Sequence, residues 1–238
     1  MGNQEIKFKS KNKSYSVVIG KNALQILPKK IKLLCPKTKK IALILDKNVP
    51  IKFKKELNKK LKNYSLLFIP FTASEKNKSM KILTKFLNLL LIKNFNRTDL
   101  VISVGGGITG DVVGFVASVF KRGINFISIP TTLLAQVDAS VGGKTGVNTK
   151  YGKNLIGSFY QPKLVLSDSI FLKTLPKREI VCGYGEILKH SIIANKSFYM
   201  FLNKNFSNIL DLKSPFIEKA IFESCKIKKL VVERDENE

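Results

Sequence analysis

The sequence predicts an α/β protein: a Rossmann-like N-terminal domain with a parallel sheet, followed by an incomplete all-α domain. Short apolar runs alternate with segments of helical periodicity over the first two-thirds of the chain. This alternation is typical of a parallel sheet covered by helices on both faces. A glycine-rich turn joins one apolar run to the next helical segment, as in nucleotide-binding units. From about Pro176 onward the strand pattern stops and only helical segments follow.

The elements of the first part are predicted in chain order. Residues 5–20 are predicted to form two strands around a polar turn. The predicted helices cover residues 21–34, 51–62, 79–94 and 111–120, and the predicted strands cover 40–46, 64–71, 99–107 and 125–132. Glycine and polar residues then run on past Thr145 to Gly157, and no element is assigned between residues 133 and 175.

The second part is predicted to be helical. Its segments at 176–193, 195–205 and 214–236 have helical spacing and show no strand alternation. We therefore place a domain boundary near residue 175, between an α/β domain of residues 1–175 and a helical segment of residues 176–238.

The amino-acid composition limits the kinds of molecule that the protein is expected to bind. The chain of 238 residues has a formal net charge of +25, which comes almost wholly from lysines spread along the sequence. The arginines are Arg97, Arg122, Arg178 and Arg234. Because specific nucleic-acid readers depend on arginine, no nucleic-acid partner is expected. Three separated cysteines, and no apolar signal core or membrane-length segment, predict a cytoplasmic protein without a membrane partner.

The glycine-rich turn lies in "VISVGGGITGD", residues 101–111. Gly105, Gly107 and Gly110 fit the spacing G-x-G-x-x-G, in which a helix N-terminus offers unpaired N–H groups to a pyrophosphate. The alternative is a tight turn between a strand and a helix. Asp46 ends an earlier strand, where an acid can bind the adenosine ribose or can cap a helix.

The stretch "VDASVGGKTGVNTKYGKN", residues 137–154, contains Gly-Lys-Thr, the end of a phosphate-binding P-loop. That motif needs a glycine five residues before Gly143, where this chain has Asp138. We therefore reject an ATP-binding loop. Nearby, Thr131 and Thr132 follow a strand and can donate hydroxyl hydrogen bonds to a phosphate or ribose, or simply form a turn at the strand end.

The segment "GYGEILKH" places Glu186, Lys189 and His190 on one helix face. Glu186 and His190 have the i,i+4 spacing of two helix-borne metal ligands, or belong to an ordinary ion pair. His190 is the only histidine in the chain. The chain therefore cannot supply a three-ligand set with two histidines, which zinc sites often use.

Residues 105–168 and 171–190 together closely resemble the 3-dehydroquinate synthase family. The resemblance covers about residues 40–238 and is most specific between 101 and 190. It implies a dehydroquinate synthase-like fold and a lyase of the shikimate route to aromatic amino acids. The implied reaction converts a phosphorylated sugar acid, 3-deoxy-D-arabino-heptulosonate 7-phosphate (DAHP), into 3-dehydroquinate and phosphate. The implied cofactors are NAD, used catalytically, and a divalent metal, zinc or cobalt.

The resemblance also implies functional residues by position. NAD contacts are implied at Asp46, Asn48, Glu75, Lys76, Asn77, Lys78, Gly106, Gly107, Ile108, Thr109, Gly110, Asp111, Thr131, Thr132, Lys144, Lys153, Phe171, Leu172, Lys173 and Thr174. Substrate-contacting catalytic positions are implied at Arg122, Asp138, Lys144, Lys153, Asn154, Lys189 and Lys228. Glu186 matches the metal-binding glutamate. Ser74 replaces a family glycine and is expected to be strained if its φ is positive.

The family's further segments carry two metal-ligating histidines, an arginine and an asparagine, and they follow the point where this sequence stops. A fragment, a truncated gene product or a decayed enzyme would each give this pattern. We expect the 238-residue chain alone to bind metal poorly through Glu186 and to turn over little DAHP. Robust phosphate release from DAHP would refute this. A full-length chain is expected to form a homodimer.

Two other functions remain open from the sequence. One is another sugar phosphate cyclase; the related polyol dehydrogenases fit less well, because they lack the long stretch from Gly-Lys-Thr to Gly-Lys-Asn. The other is a non-catalytic remnant that binds NAD or polyanions.

Overall fold

The computed structural model describes residues 2–9 and 14–234. Its main sheet has seven strands in the order β1-β2-β9-β6-β5-β3-β4. They are β1 (Gln4–Lys9), β2 (Ser14–Gly20), β3 (Lys40–Asp46), β4 (Ser65–Phe71), β5 (Leu100–Gly105), β6 (Asn125–Pro130) and β9 (Leu164–Asp168). β1 pairs antiparallel with β2, and the remaining pairs in this sheet are parallel. The predicted α/β class is confirmed.

A two-stranded sheet and the helices complete the fold. The small sheet pairs β7 (Lys144–Thr149) with β8 (Gly152–Phe159). The helices are α1 (Leu27–Leu34), α2 (Ile51–Lys60), α3 (Met80–Ile92), α4 (Gly107–Val119), α5 (Lys177–Ala194), α6 (Lys196–Leu210) and α7 (Phe216–Arg234). Within the described ranges, none of these helices is long and apolar enough to cross a membrane.

Alternating residues of the central strands build a core on each face of the sheet. Leu43 of β3 points to a buried cluster with α1 and α2, whereas its neighbour Ile44 points to a second cluster with α3 and α4. All six residues of β5 are buried. Strands buried on both faces produce the continuous apolar runs from which the sequence predicts them.

The helical segment packs on the first two strands. Phe8 and Tyr15 stack with ring centroids 4.8 Å apart, and they share one buried cluster with Ile187, Leu202 and Ile221 of α5, α6 and α7. The helices after β9 therefore share a core with the start of the chain. The domain boundary near residue 175 stays a prediction.

The structure adds three strands that the sequence does not predict. β7 and β8 form a hairpin in the glycine-rich stretch. β8 is mostly exposed and Gly-rich, so it lacks the apolar alternation that indicates a strand. β9 is only five residues long, and it is recognisable mainly by its place between β2 and β6. The predicted polar turn between β1 and β2 lies outside the described residues.

Gly183 lets α5 approach the segment after β6 closely. A Cβ on Gly183 would lie 2.6 Å from Leu133 Cβ and 2.7 Å from Leu134 N, which is backbone. Gly183→Ala is therefore expected to lower the free energy of unfolding by about 1–3 kcal/mol. Gly185→Ala, in the same helix, meets nothing within 4 Å and is expected to gain about 0.5–1 kcal/mol from helix propensity. Urea unfolding measures both; equal effects of the two substitutions would contradict the close packing.

Candidate active site

A cleft opens where the parallel strands end. A cavity of about 860 Å³ lies beyond the carboxyl ends of β3, β5 and β6, the usual ligand position in open α/β sheets. Its lining includes twelve of the residues that the resemblance assigns to NAD: Asp46, Asn48, Glu75, Lys78, Gly106, Gly107, Ile108, Asp111, Thr131, Thr132, Phe171 and Thr174. Other members of that set lie elsewhere; Thr109 and Leu172, for example, are buried in the protein interior.

The glycine turn forms the floor of this cleft. Gly106 is the N-cap of α4 and makes no side-chain cap hydrogen bond. A Cβ there would lie 3.2 Å from Thr132 Cγ2, which is a tight contact, so the absence of a side chain at Gly106 lets Thr132 pack close to the turn. The first N–H groups of α4 and the positive end of its dipole lie at this cleft and favour an anionic group such as a pyrophosphate.

Asp46 lies at the junction of the cleft with a smaller cavity. That cavity has a volume of about 230 Å³ and is lined largely by apolar side chains, including Val49, Ile51 and Phe68. Burial raises the pKa of Asp46, while the N–H of Asn48, 3.0 Å from Asp46 Oδ1, opposes the shift. The Asp46 carboxylate is therefore a hydrogen-bond acceptor at the boundary between an apolar pocket and a polar cleft. This position suits a nucleoside whose ribose contacts Asp46 and whose base enters the pocket.

A buried ion pair closes one side of the cleft. Lys78 contacts Asp111 through Nζ and Oδ2, and only 6% and 22% of the two side chains are exposed. Burial raises the pKa of Asp111, and Lys78 opposes this shift. The resemblance implies that both residues contact NAD, but nothing in the sequence predicts that they pair.

The loop before Lys78 is not strained. Ser74 is absent from the residues of positive φ, so the expected strain at this position is not found. Ser74 O accepts hydrogen bonds from the N–H groups of Asn77 and Lys78 at 3.0 Å, and Ser74 Oγ accepts a further one from Asn77 N at 3.3 Å. Asn77 Nδ2 donates to Thr72 O. The serine therefore stabilises this turn.

The hairpin of β7 and β8 brings further predicted residues to the cleft. Lys144, Asn154 and Asp111 line a cavity of about 360 Å³. Since Asp111 also lines the large cavity, the two spaces adjoin. Glu75 links the hairpin to the cleft: its Oε2 accepts from Asn148 Nδ2 at 2.7 Å, and its Oε1 lies 3.7 Å from Lys153 Nζ.

A cluster of charged groups joins α5, α7 and a π-helical turn at Ala135–Ala139. His190 Nε2 and Lys189 Nζ lie 3.2 and 2.5 Å from Glu186 Oε1. Lys228 Nζ lies 2.8 Å from Asp138 Oδ1. Burial lowers the pKa of His190, and the Glu186 carboxylate opposes this shift.

Potential metal ligands meet in this cluster. One ligand atom each of Asp138, Glu186 and His190 lies within 4.8 Å of the others. The spacing of Glu186 and His190 on one helix identifies that pair from the sequence. The π-helical turn that brings Asp138 to them has no sequence signal that we recognise, so the third potential ligand, the Asp138 carboxylate, is a finding of the structure.

Arg122 lies apart from the other predicted substrate contacts. It follows the last turn of α4, whereas the cleft lies at the first turn, about 20 Å away for a helix of this length. There Arg122 lines a separate basic cavity of about 630 Å³ with Lys37, Arg97 and Lys163. The folded chain does not bring Arg122 to the cleft, and its role as a substrate contact stays a prediction.

A parallel sheet with a glycine turn, an acid at the end of a neighbouring strand and a cleft at the carboxyl ends of the strands defines a nucleotide-binding α/β protein. The family models described as 3-dehydroquinate synthase N-terminal and 3-dehydroquinate synthase C-terminal match residues 68–182 and 183–238. The chain belongs to the 3-dehydroquinate synthase family.

Individual relatives agree with this assignment. The chain is 57% identical to 3-dehydroquinate synthase of Pelagibacter ubique (strain HTCC1062), over all of this chain and 65% of the relative. It is similar in structure to 2-deoxy-scyllo-inosose synthase complexed with carbaglucose-6-phosphate, NAD+ and Co2+, with a TM-score of 0.85 and 25% identity over 97% of this chain and 62% of that one.

A third protein is 2-epi-5-epi-valiolone synthase of Streptomyces hygroscopicus subsp. jinggangensis 5008, with NAD+ and Zn2+ bound. It gives a TM-score of 0.84 and 25% identity, and the match covers 95% of this chain and 63% of that chain. The chain therefore spans about two-thirds of the length of each of these proteins.

Proposed function

We propose that this chain carries the NAD- and substrate-binding part of a 3-dehydroquinate synthase, which converts DAHP to 3-dehydroquinate and phosphate. The observation that carries the proposal is the single cleft in which the glycine turn, Asp46 and the Lys78–Asp111 pair meet beside a lysine-bearing hairpin. Family membership and the NAD+ complexes of the two structural relatives support it.

The residues present fit NAD. The bare backbone at Gly106 and the start of α4 suit its pyrophosphate, and Asp46 beside an apolar pocket suits an adenosine. NAD, when bound, supplies a reversible acceptor for hydride from a substrate hydroxyl. The chain's own contribution is to orient the cofactor through the glycine turn and Asp46, while Lys144 adds a positive charge in the adjoining hairpin cavity.

The residues present also fit a divalent metal. Two carboxylates and one imidazole suit Zn2+ or Co2+, and the three protein ligands leave a position for a substrate oxygen. The metal, when bound, polarises the hydroxyl that is oxidised.

The lysines suit a substrate with two anionic groups. Lys144 and Asn154 line the hairpin cavity, and Lys153 lies beside it on β8. Lys189 and Lys228 form ion pairs in the neighbouring cluster. DAHP carries a carboxylate and a phosphate, and charge-assisted hydrogen bonds to ammonium groups hold both. The alternative, another sugar phosphate cyclase, has support from the two structural relatives, which are cyclases with other names.

Binding to the NAD+-loaded chain tests the substrate class. We expect calorimetry to show that DAHP binds, and that loss of its phosphate or its carboxylate weakens binding at least about tenfold. Lys144→Met is expected to weaken DAHP binding, whereas Lys150→Met, at an exposed lysine of the same hairpin, is the matched control. Tighter binding of a ketoheptose phosphate without a carboxylate would favour another cyclase and contradict the proposal.

The oligomeric state and the cellular location of the full-length enzyme are part of the same proposal. We propose, as the resemblance to the family implies, that the full-length enzyme is a cytoplasmic homodimer. Light scattering on a full-length relative expressed beside this chain tests the assembly, and a monomeric relative would contradict it.

A further inference from the structure

We propose that Tyr15 and Gln161 are positioning residues for Lys144: they fix the backbone of Gly142 and Gly143, from which the Lys144 side chain enters the hairpin cavity. The inference rests on the proposed function, in which Lys144 binds an anionic group of the substrate. Neither Tyr15 nor Gln161 is among the residues that the resemblance implies, and neither lines the two adjoining cavities of the cleft. Both would act on the substrate only through Lys144.

The segment before Lys144 is a sharp kink. Gly142 and Gly143 have φ of +102° and +72°, a region that residues with a Cβ rarely adopt. Lys144 follows as the first residue of β7 and is exposed. Because its side chain is not packed in the protein interior, the position of its ammonium group depends on the backbone that carries it. A rotation of the kink would therefore move this group relative to the cavity that Lys144 lines.

The phenol of Tyr15 holds the start of the kink. Its Oη accepts a hydrogen bond from Gly142 N at 3.0 Å, although the two residues are 127 positions apart in the chain. Tyr15 is only 4% exposed, and its ring stacks on Phe8 with an angle of 13° between the ring planes. Because this stack and the surrounding core hold the ring, the hydroxyl is an acceptor in a fixed position.

The residues that follow β8 hold the other side of the kink. Tyr160 N donates to Gly143 O at 2.8 Å, which extends the pairing of the hairpin by one residue. Gln161 Nε2 donates to Gly142 O at 2.9 Å. A Cβ on Gly143 would lie 2.7 Å from Gln161 Cδ, so the side-chain amide of Gln161 packs directly against the kink.

Three backbone polar groups of the kink therefore have partners: the N–H and C=O of Gly142 and the C=O of Gly143. The two partners of Gly142 are side chains, one from β2 and one from the segment between β8 and β9. Buried backbone groups need such partners, and here side chains supply what a regular ladder supplies elsewhere. Removal of either side chain is expected to leave the fold in place and to loosen the backbone that carries Lys144.

Amide hydrogen exchange tests the contact without substrate. Tyr15→Phe removes the hydroxyl and keeps the ring. We expect the N–H of Gly142, followed by NMR on the 238-residue chain, to exchange at least about tenfold faster in Tyr15→Phe, whereas the amides of β5 keep their rates. An unchanged exchange rate at Gly142 would show that the hydroxyl does not hold the kink, and the inference would be wrong.

A double-mutant cycle tests the action through Lys144. We expect calorimetry with the NAD+-loaded chain to show that Tyr15→Phe and Gln161→Met each raise the dissociation constant of DAHP about tenfold. In a Lys144→Met background, the same substitutions are expected to change it less than about twofold, because the group that they position is gone. Tyr64→Phe removes the hydroxyl of a tyrosine just before β4, at the opposite edge of the sheet, and is the matched control.

The outcomes distinguish this inference from the proposed function. Losses of equal size in both backgrounds would show that the two side chains support the fold and not Lys144, and DAHP affinity unchanged by either substitution would also overturn the inference alone. If circular dichroism shows that Tyr15→Phe fails to fold, Gln161→Met decides, since it acts on the other side of the same kink. Absence of DAHP binding by the unsubstituted chain would overturn the proposed function, and with it the role of Lys144.

Discussion

Lys78→Met is expected to lower the free energy of unfolding by about 3 kcal/mol at neutral pH. The substitution keeps a long unbranched side chain but leaves the Asp111 carboxylate without its cation in a buried position. Breaking a buried ion pair from one side costs about 3–5 kcal/mol. We expect the lower end of that range, because 22% of the Asp111 side chain stays exposed. Urea unfolding measures the change.

Two further variants serve as controls for the loss of stability in Lys78→Met. Adding Asp111→Asn to Lys78→Met removes the unpaired charge and is expected to recover most of the lost stability. Lys81→Met removes an exposed lysine three residues away and is expected to change the free energy of unfolding by less than about 0.5 kcal/mol. If Lys78→Met cost no more than Lys81→Met, the pair would not be an important contact of the fold.

Gly106→Asp is expected to raise the dissociation constant of NAD+ about 100-fold or more. The new carboxylate would lie at the N-terminus of α4, where the pyrophosphate is placed, and would both repel and replace it. A 100-fold change corresponds to about 2.7 kcal/mol. The backbone itself tolerates a side chain, since Gly106 has φ −76° and ψ −171°. Isothermal titration calorimetry measures the affinity.

Two matched variants distinguish the effect of added volume at Gly106 on NAD+ binding from the effect of added charge. Gly106→Ala adds only a Cβ, 3.2 Å from a Thr132 methyl group, and is expected to weaken NAD+ binding less than about tenfold. Gly185→Asp places the same carboxylate on an exposed part of α5 and is expected to leave NAD+ binding unchanged. Equal losses from Gly106→Asp and Gly106→Ala would show that space, not charge, limits the site.

The main sheet could be largely predicted because its central strands are buried on both faces. Such strands appear in the sequence as continuous apolar runs. Residues 40–46 form β3 with the predicted bounds, and the run before the glycine turn forms β5. The hairpin of β7 and β8 could not be predicted in the same way. Its residues are small, polar and partly exposed, so pairing between its two strands, rather than apolar burial, defines it.

The candidate site was predictable where it follows from strand ends. Asp46 is the last residue of β3, and Gly106 directly follows the last residue of the neighbouring parallel strand β5, so the sheet places both at the same edge. The Lys78–Asp111 pair and the approach of Asp138 to Glu186 depend on how separate elements pack. No local pattern encodes those contacts. The expectation of weak metal binding considered Glu186 alone, and the structure supplies two further ligand atoms near it.

We expect the cleft at the carboxyl ends of the strands to bind NAD. The most direct test of this expectation is a calorimetric titration of the 238-residue chain with NAD+ at about 50 and about 200 mM salt. We expect saturable binding of one NAD+ per chain, with affinity that changes only a few-fold between the two salt concentrations. Absence of saturable binding, or affinity that collapses with salt as for a polyanion on a basic surface, would show that this cleft is not an NAD site.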